Sequence, residues 1–243
     1  MLEGPIKENS YFFPAPQITN YLNSLPESEY CEDQYLGNIK QKIVIMTHDD
    51  EFDWQIYEME KELGFRSTWF LLDTEMDSDI PEDVDIQIHF NKETGTLSDQ
   101  INQFSNTFNI QPKFNRNHRL LWRSNNFDFP FMALNGIMAD STLIGTRPFQ
   151  PVIHGRLIPI WELPFCITDK ANSFIASYSV ASNYENTFRQ GLSPIVILSH
   201  PFSVCQKHDL NSCFPDCLNL ALKYDYQIMD INTFYKEFLV NHR

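Results

Sequence analysis

Ile43, Val44, Ile45 and Met46 form an unbroken apolar run that passes through Thr47 into His48, Asp49, Asp50 and Glu51. An apolar run of this length reads as a short strand buried on both faces. Ending it on an imidazole and three carboxylates is costly, because adjacent carboxylates repel and each loses hydration if enclosed without a partner. Two readings fit this stretch equally well on its own. One is a solvated acidic turn; the other is the mouth of a site where a cation balances the charge.

The next thirty residues set the fold class. Phe52, Ile56, Met59 and Leu63 recur at helical spacing, Gly64 stands where a helix stops, and Ser67 to Leu72 reads as a second buried strand. Strand, helix and strand in that order form a βαβ unit, which requires parallel pairing. The rhythm then continues. Strands are expected over 84–90, around Phe114, over 137–141, 194–201 and 226–229. Helices are expected over 96–108, 129–136, 177–190, 213–224 and 233–238. Residues 146–156 read as a loop, and Ile158 to Pro164 as extended chain, because Pro159 and Pro164 exclude a helix. Residues 1–40 hold Pro5, Pro14, Pro16 and Pro26 among scattered apolar residues. They read as an irregular arm, with a short helix around Ile18 to Leu22, packed on a main domain of residues 41–243.

Several of these strands end on polar groups: Asp49 and Asp50, His89, Arg116 and His118, Asp140, and His200. In parallel α/β folds the C-terminal strand ends face one crevice. Any one of these residues is more often structural than functional. Their recurrence across successive strand ends is what favours a site.

Charge and composition exclude other classes. The 243-residue chain carries a net charge of −14, which opposes a phosphate backbone, and no Lys/Arg cluster interleaves with aromatics. Nucleic acid is not an expected partner. Nor is a membrane, since no stretch approaches the ~20 apolar residues of a span, and Met1 to Gln17 lacks a signal pattern. A cytoplasmic location is expected. Cys31, Cys166, Cys205, Cys213 and Cys217 are odd in number and fit no zinc spacing, so they read as reduced thiols.

Five blocks, taken in order, carry a resemblance. They are Thr47-His48-Asp49-Asp50, Gly64 to Leu71, Ile86 to Phe90, Arg116-Asn117-His118, and Leu198-Ser199-His200-Pro201. Over residues 42–238 the chain resembles the polysaccharide deacetylases of carbohydrate esterase family 4. The resemblance implies an α/β fold, a distorted (β/α) barrel of seven or eight strands. It also implies a divalent metal, commonly zinc, and removal of acetyl groups from N- or O-acetylated sugars. Asp49 would be the base, Arg116 its partner and His200 the general acid. Asp50, His89 and Glu93 would hold the metal. Trp161, Leu198 and His118 would line the substrate pocket, with plain core packing an equal reading for Trp161 and Leu198.

The blocks also depart from the family. The family's His-x-x-x-His block is His89 to Glu93 here, so a glutamate stands at the second histidine. Glu51, His48 and His118 are alternative third ligands. The family's Arg-x-Pro-Tyr block is also different here, with Asn117 and His118 following Arg116. These departures leave room for a barrel that has lost its chemistry and binds glycans, or for a hydrolase of small non-peptide amides.

Overall fold

The computed structural model describes residues 15–73, 79–169, 184–201 and 213–240. The chain opens with helix α1 (Ala15–Ser24) and strand β1 (Gln34–Tyr35). Then come β2 (Ile43–Asp50), α2 (Trp54–Leu63), β3 (Thr68–Leu71) and β4 (Asp85–Phe90). They are followed by α3 (Leu97–Phe108), β5 (Phe114–Asn117), α4 (Asn125–Leu134) and β6 (Ala139–Asp140). Short strands β7 (Phe149–Gln150), β8 (Val152–Ile153), β9 (Arg156–Leu157), β10 (Trp161–Glu162) and β11 (Ile167–Thr168) come next. The rest is α5 (Tyr184–Arg189), β12 (Ile195–Ser199), α6 (Cys213–Lys223), β13 (Gln227–Met229) and α7 (Ile231–Phe234).

Among the described residues one sheet runs β1-β7-β10-β6-β5-β4-β3-β2-β12-β11, with β13 also on β2. Pairing is parallel from β10 through β6, β5, β4, β3, β2 and β12 to β11, and antiparallel only where β7 meets β1 and β10. The two ends of this order do not pair, so the sheet curls into an open, distorted barrel. Within it β2 is flanked by β3 and β12, with β13 beside its first half.

Side-chain alternation along β2 assigns the two faces. Ile43 and Ile45 pack inward with Phe70, Phe114, Ala139, Trp161, Val196 and Leu198. Val44 and Met46 pack outward with the helices, beside Ile56, Ile88, Phe104 and Phe214. The helices are set by local chemistry. Asp53 caps α2 by accepting from the Gln55 and Ile56 amides, and Gly64 ends it at φ 77. Thr96 caps α3. Helix α4 begins before the expected Phe129 because Asp128 folds back to accept the amides of Arg123 and Ser124.

The stretch 146–156, expected to be loop, holds β7, β8 and the start of β9. In the proline-bounded segment Trp161 and Glu162 form β10, and the Ile158 and Leu163 amides donate to the Pro151 and Asp140 carbonyls. Of the helix expected over 177–190, residues 177–183 lie outside the described residues and Tyr184–Arg189 are helical. In the arm, Ile18 and Leu22 are buried in the outer core, and Gln34–Tyr35 pairs with Gln150 and Phe149 at the sheet edge. Among the described residues no helix is long and apolar enough to cross a membrane. Cys31, Cys166 and Cys217 are free thiols.

Candidate metal and catalytic centre

The centre is built around Arg116, a fully buried arginine on the inner face of β5. Its guanidinium donates to Asp49 Oδ1 and to Thr47 Oγ1, both at 2.7 Å. It also donates to the Ser141 carbonyl at 2.8 Å and to Ser141 Oγ at 2.7 Å. Its plane lies 4.7 Å over the Phe70 ring. A charge with no access to water is tolerable only when its donors are met in this way. The network fixes Asp49, which is 2 % exposed, at the end of β2.

Alternation should send Asp50 outward, away from Asp49. It does not, because Asp50 has φ 78 and the Glu51 amide bonds back to the Asp49 carbonyl at 3.2 Å. This is a γ-turn of the rare positive-φ form. It rolls the Asp50 carboxylate back over the mouth, where Oδ1 lies 3.3 Å from His89 Nε2 and 4.0 Å from His118 Nε2. Asp50 Oδ2 lies 4.0 Å from His200 Nε2.

Two of these imidazoles are oriented by a contact through their other nitrogen. His89 Nδ1 donates to the Arg116 carbonyl at 2.9 Å, which leaves the Nε2 lone pair facing Asp50. His200 Nδ1 donates to Asp169 Oδ1 at 2.7 Å, and the His200 amide donates to Asp169 Oδ2 at 2.7 Å. Sequence reasoning misses Asp169, although Ile167, Thr168 and Asp169 form another apolar strand end that closes on an acid.

Asp50, His89 and His118 bring one donor atom each to within 4.8 Å of one another, the one such group among the described residues. The donor set fits a divalent ion. It offers one carboxylate oxygen and two imidazole nitrogens, borderline ligands suited to zinc. His89 has the outward-facing nitrogen and carbonyl-held opposite nitrogen typical of metal-bound histidines.

Glu93, expected as the third ligand, is not in this group. Lys92 turns inward, donating to Asp128 at 2.8 Å and to the Leu121 carbonyl at 2.7 Å. Asn91 is held by Gln100. With the loop anchored there, Glu93 points away and pairs with Arg119 at 2.9 Å, half exposed. His118, expected against substrate, is the third member of this group. The turn after it passes through positive φ at Arg119 and Leu120. Glu51 is exposed.

His48 is not at the mouth either. It faces outward from β2, fully buried against Trp69 and Phe214, with Nε2 2.8 Å from Glu60. Asp140 also leaves the expected crevice. It lies on the outer face with Asn115, Thr142 and Glu162. Burial pushes both carboxyls up, Glu162 strongly, with the Asp140 charge adding to it. Leu198 lies on the inner face in register with Thr47, just below Asp49. Trp161 is grouped with the inner core and a cavity beside Tyr35, Leu36 and Pro159, at the start of β10.

This open barrel, with its polar strand ends gathered at one mouth, has the fold of the carbohydrate esterase family 4 polysaccharide deacetylases. A candidate polysaccharide deacetylase of Mycobacterium smegmatis matches with TM-score 0.56 and 12 % identity, covering 90 % of this chain and 96 % of that one. A peptidoglycan N-acetylglucosamine deacetylase matches with TM-score 0.52 and 12 % identity, over 84 % and 92 % of the two chains. The Xyl-CE4 domain of a multidomain xylanase from the hindgut metagenome of Trinervitermes trinervoides matches with TM-score 0.50 and 14 % identity, over 82 % and 91 %. At these identities what is shared is the fold. No family model and no curated protein matches the chain.

Proposed function

We propose that the chain is a metal-dependent hydrolase that removes an acetyl group from an N-acetylated sugar. The observation that carries this reading is the arrangement around Asp50. Its carboxylate stands between the His89–His118 pair and the His200–Asp169 pair, with the Arg116-held Asp49 beside it, 3.9 Å from His89. Asp50, His89 and His118 would hold the ion. When bound, it supplies Lewis-acid polarisation of the acetyl carbonyl and a more acidic water.

The chain's own residues do the rest. Asp49 Oδ2, the oxygen not bonded by Arg116, takes the proton of the attacking water as its oxygen bonds the acetyl carbon. The carbon–nitrogen bond then breaks, and His200 Nε2 delivers a proton to the leaving nitrogen. The proton comes from the imidazolium form of His200, whose Nδ1–H stays on Asp169; that carboxylate balances the ring's charge and fixes its orientation. The products are acetate and the free amino sugar. Leu198 forms an apolar wall for the methyl group below Asp49.

Zinc-loaded protein is expected to release acetate from N-acetylglucosamine oligomers, and Asp49→Asn to lower that rate by at least ~10²-fold, the usual worth of a positioned base. Acetate release that is unchanged in Asp49→Asn would refute the assignment. Release only from small cyclic amides would move the substrate, and no release with metal bound would mark a binding module.

A further inference from the structure

Two buried acids take no direct part in the hydrolytic centre. Asp140 of β6 and Glu162 of β10 are in register on neighbouring parallel strands, 1 % and 0 % exposed. Their carboxyls hydrogen-bond each other. Two ionised carboxylates cannot do so, because each only accepts. Asp140 has donors of its own: Asn115 Nδ2 at 2.7 Å, and the Thr142 amide and Thr142 Oγ1, both at 3.0 Å. Glu162 Oε1 accepts the Leu143 amide at 2.9 Å, and Oε2 meets no donor. A proton on Glu162 turns two facing acceptors into a charge-assisted bond to Asp140.

The surroundings favour keeping that proton. Burial, then the Asp140 charge, push the Glu162 carboxyl well above its ordinary range. From β5, Arg116 acts the other way and favours ionisation. Helix α4 brings Met132 Sδ to 3.7 Å from Asn115, and its acid, Asp128, is bonded to Lys92. Strand β7 places uncharged Phe149 opposite Glu162. The same seam seats Arg116 on its inner side. Ser141 follows Asp140 and accepts from Arg116 through its carbonyl and its Oγ. Ser141 Oγ donates to the carbonyl of Leu163, the residue after Glu162, at 2.7 Å. The Leu163 amide returns to the Asp140 carbonyl at 2.7 Å. Two full charges in this short seam would repel strongly in a low dielectric and spread the strands that carry Ser141 and Leu163.

We propose that Asp140 and Glu162 share one buried proton that keeps the β6–β10 seam closed, and that the pair thereby positions Arg116 and the Asp49 carboxylate it holds. Its meaning for catalysis rests on the base role given to Asp49, and the experiment avoids turnover so that the two readings separate. The full chain is used in chelator, without substrate. Infrared difference spectra at neutral pH should show a protonated-carboxyl band in wild type that Glu162→Gln lacks; Asp85 is common to both proteins and cancels. The Arg116 Nε–H, held on the Ser141 carbonyl, is followed in ¹H–¹⁵N spectra and assigned by its contact with the Phe70 ring. As pH rises and the wild-type band disappears, this signal should shift. At equal pH in that range its exchange with water should be at least ~10-fold faster in wild type than in Glu162→Gln, whose amide donates to Asp140 at any pH.

Absence of the band from wild type at neutral pH overturns the shared proton. A band whose loss leaves the Arg116 signal unmoved overturns the positioning role. If Glu162→Gln does not fold, the wild-type titrations decide: a common midpoint for the band and the Arg116 signal upholds the proposal, and separate midpoints overturn it. Acetate release by the zinc-loaded protein is measured apart. A coupled proton with no release upholds the pair and rejects the deacetylase, and release without a coupled proton does the reverse.

Discussion

A positive-φ backbone at a non-glycine residue costs on the order of 1–3 kcal/mol, and β2 adopts one at Asp50. Strand alternation alone would place Asp49 and Asp50 on opposite faces. The γ-turn lets two adjacent carboxylates share one mouth, one held by Arg116 and the other among histidines. The third donor follows the same logic of local backbone. His118 precedes two positive-φ residues, whereas Glu93 is carried away by the buried Lys92–Asp128 pair. His118→Gln is therefore expected to weaken zinc binding by at least ~10-fold, and Glu93→Gln to change it by less than about twofold. Competition against a chromophoric chelator measures both, and a larger loss for Glu93→Gln would overturn the ligand set. The strand-end positions of Asp49, Asp50, His89 and His200 were legible because each follows an apolar run, whereas Arg116 lies in the largely polar Phe114–Asn117 and stood out only through the order of the blocks. The choice of His118 over Glu93 was not legible, since it depends on where Lys92 finds Asp128 across 36 positions.

Elements meet at a partly buried acid, Asp85. Asp85, at the start of β4, accepts from Thr68 of β3 at 2.6 Å and from Gln87 at 2.8 Å. Thr68 also accepts the Ile231 amide, which ties this seam to α7 and its cap Asp230. Burial first, then the Asp230 charge, raise Asp85 from its ordinary 3.8 to about 6. The folded state thus holds the Asp85 proton more tightly than the unfolded chain does. The stability from this group is fully present below about 3.8 and is lost as pH rises through about 6. Asn at 85 cannot titrate, so wild type should lose roughly 2 kcal/mol relative to Asp85→Asn between pH 4 and 7. Urea unfolding of both proteins across that range tests it, and a difference that stays constant with pH would count against the assignment. Periodicity located α2 and α3 well because each helix carries its own apolar stripe and cap. It missed β7, β8 and β9, since a two-residue strand is defined by its partner rather than by its own pattern.

At the scale of the whole molecule, the proposed ion ties β2, β4 and the turn after β5 together through Asp50, His89 and His118. These donors come from separate strand ends that unfolding would scatter, so an ion held by all three binds the folded chain far better than the unfolded one. Binding of that kind stabilises the fold by RT ln(1 + [L]/Kd), about 2.7 kcal/mol at a hundredfold excess over Kd. For a chain of this length that corresponds to a rise in Tm of roughly 5–10 °C. The net charge of −14 concentrates cations around the protein, so non-specific ion effects have to be separated from the site. His118→Gln does this, because it barely alters the overall field but removes one donor. Zinc added to chelator-treated protein should therefore raise the Tm of wild type and of Glu93→Gln by the same amount, and raise that of His118→Gln much less. Magnesium at equal ionic strength should reproduce only the small shift common to all three proteins, since it prefers oxygen ligands and retains its water. Equal zinc shifts in all three proteins would mean that the ion is held elsewhere, and the Asp50 mouth would lose its claim to a metal.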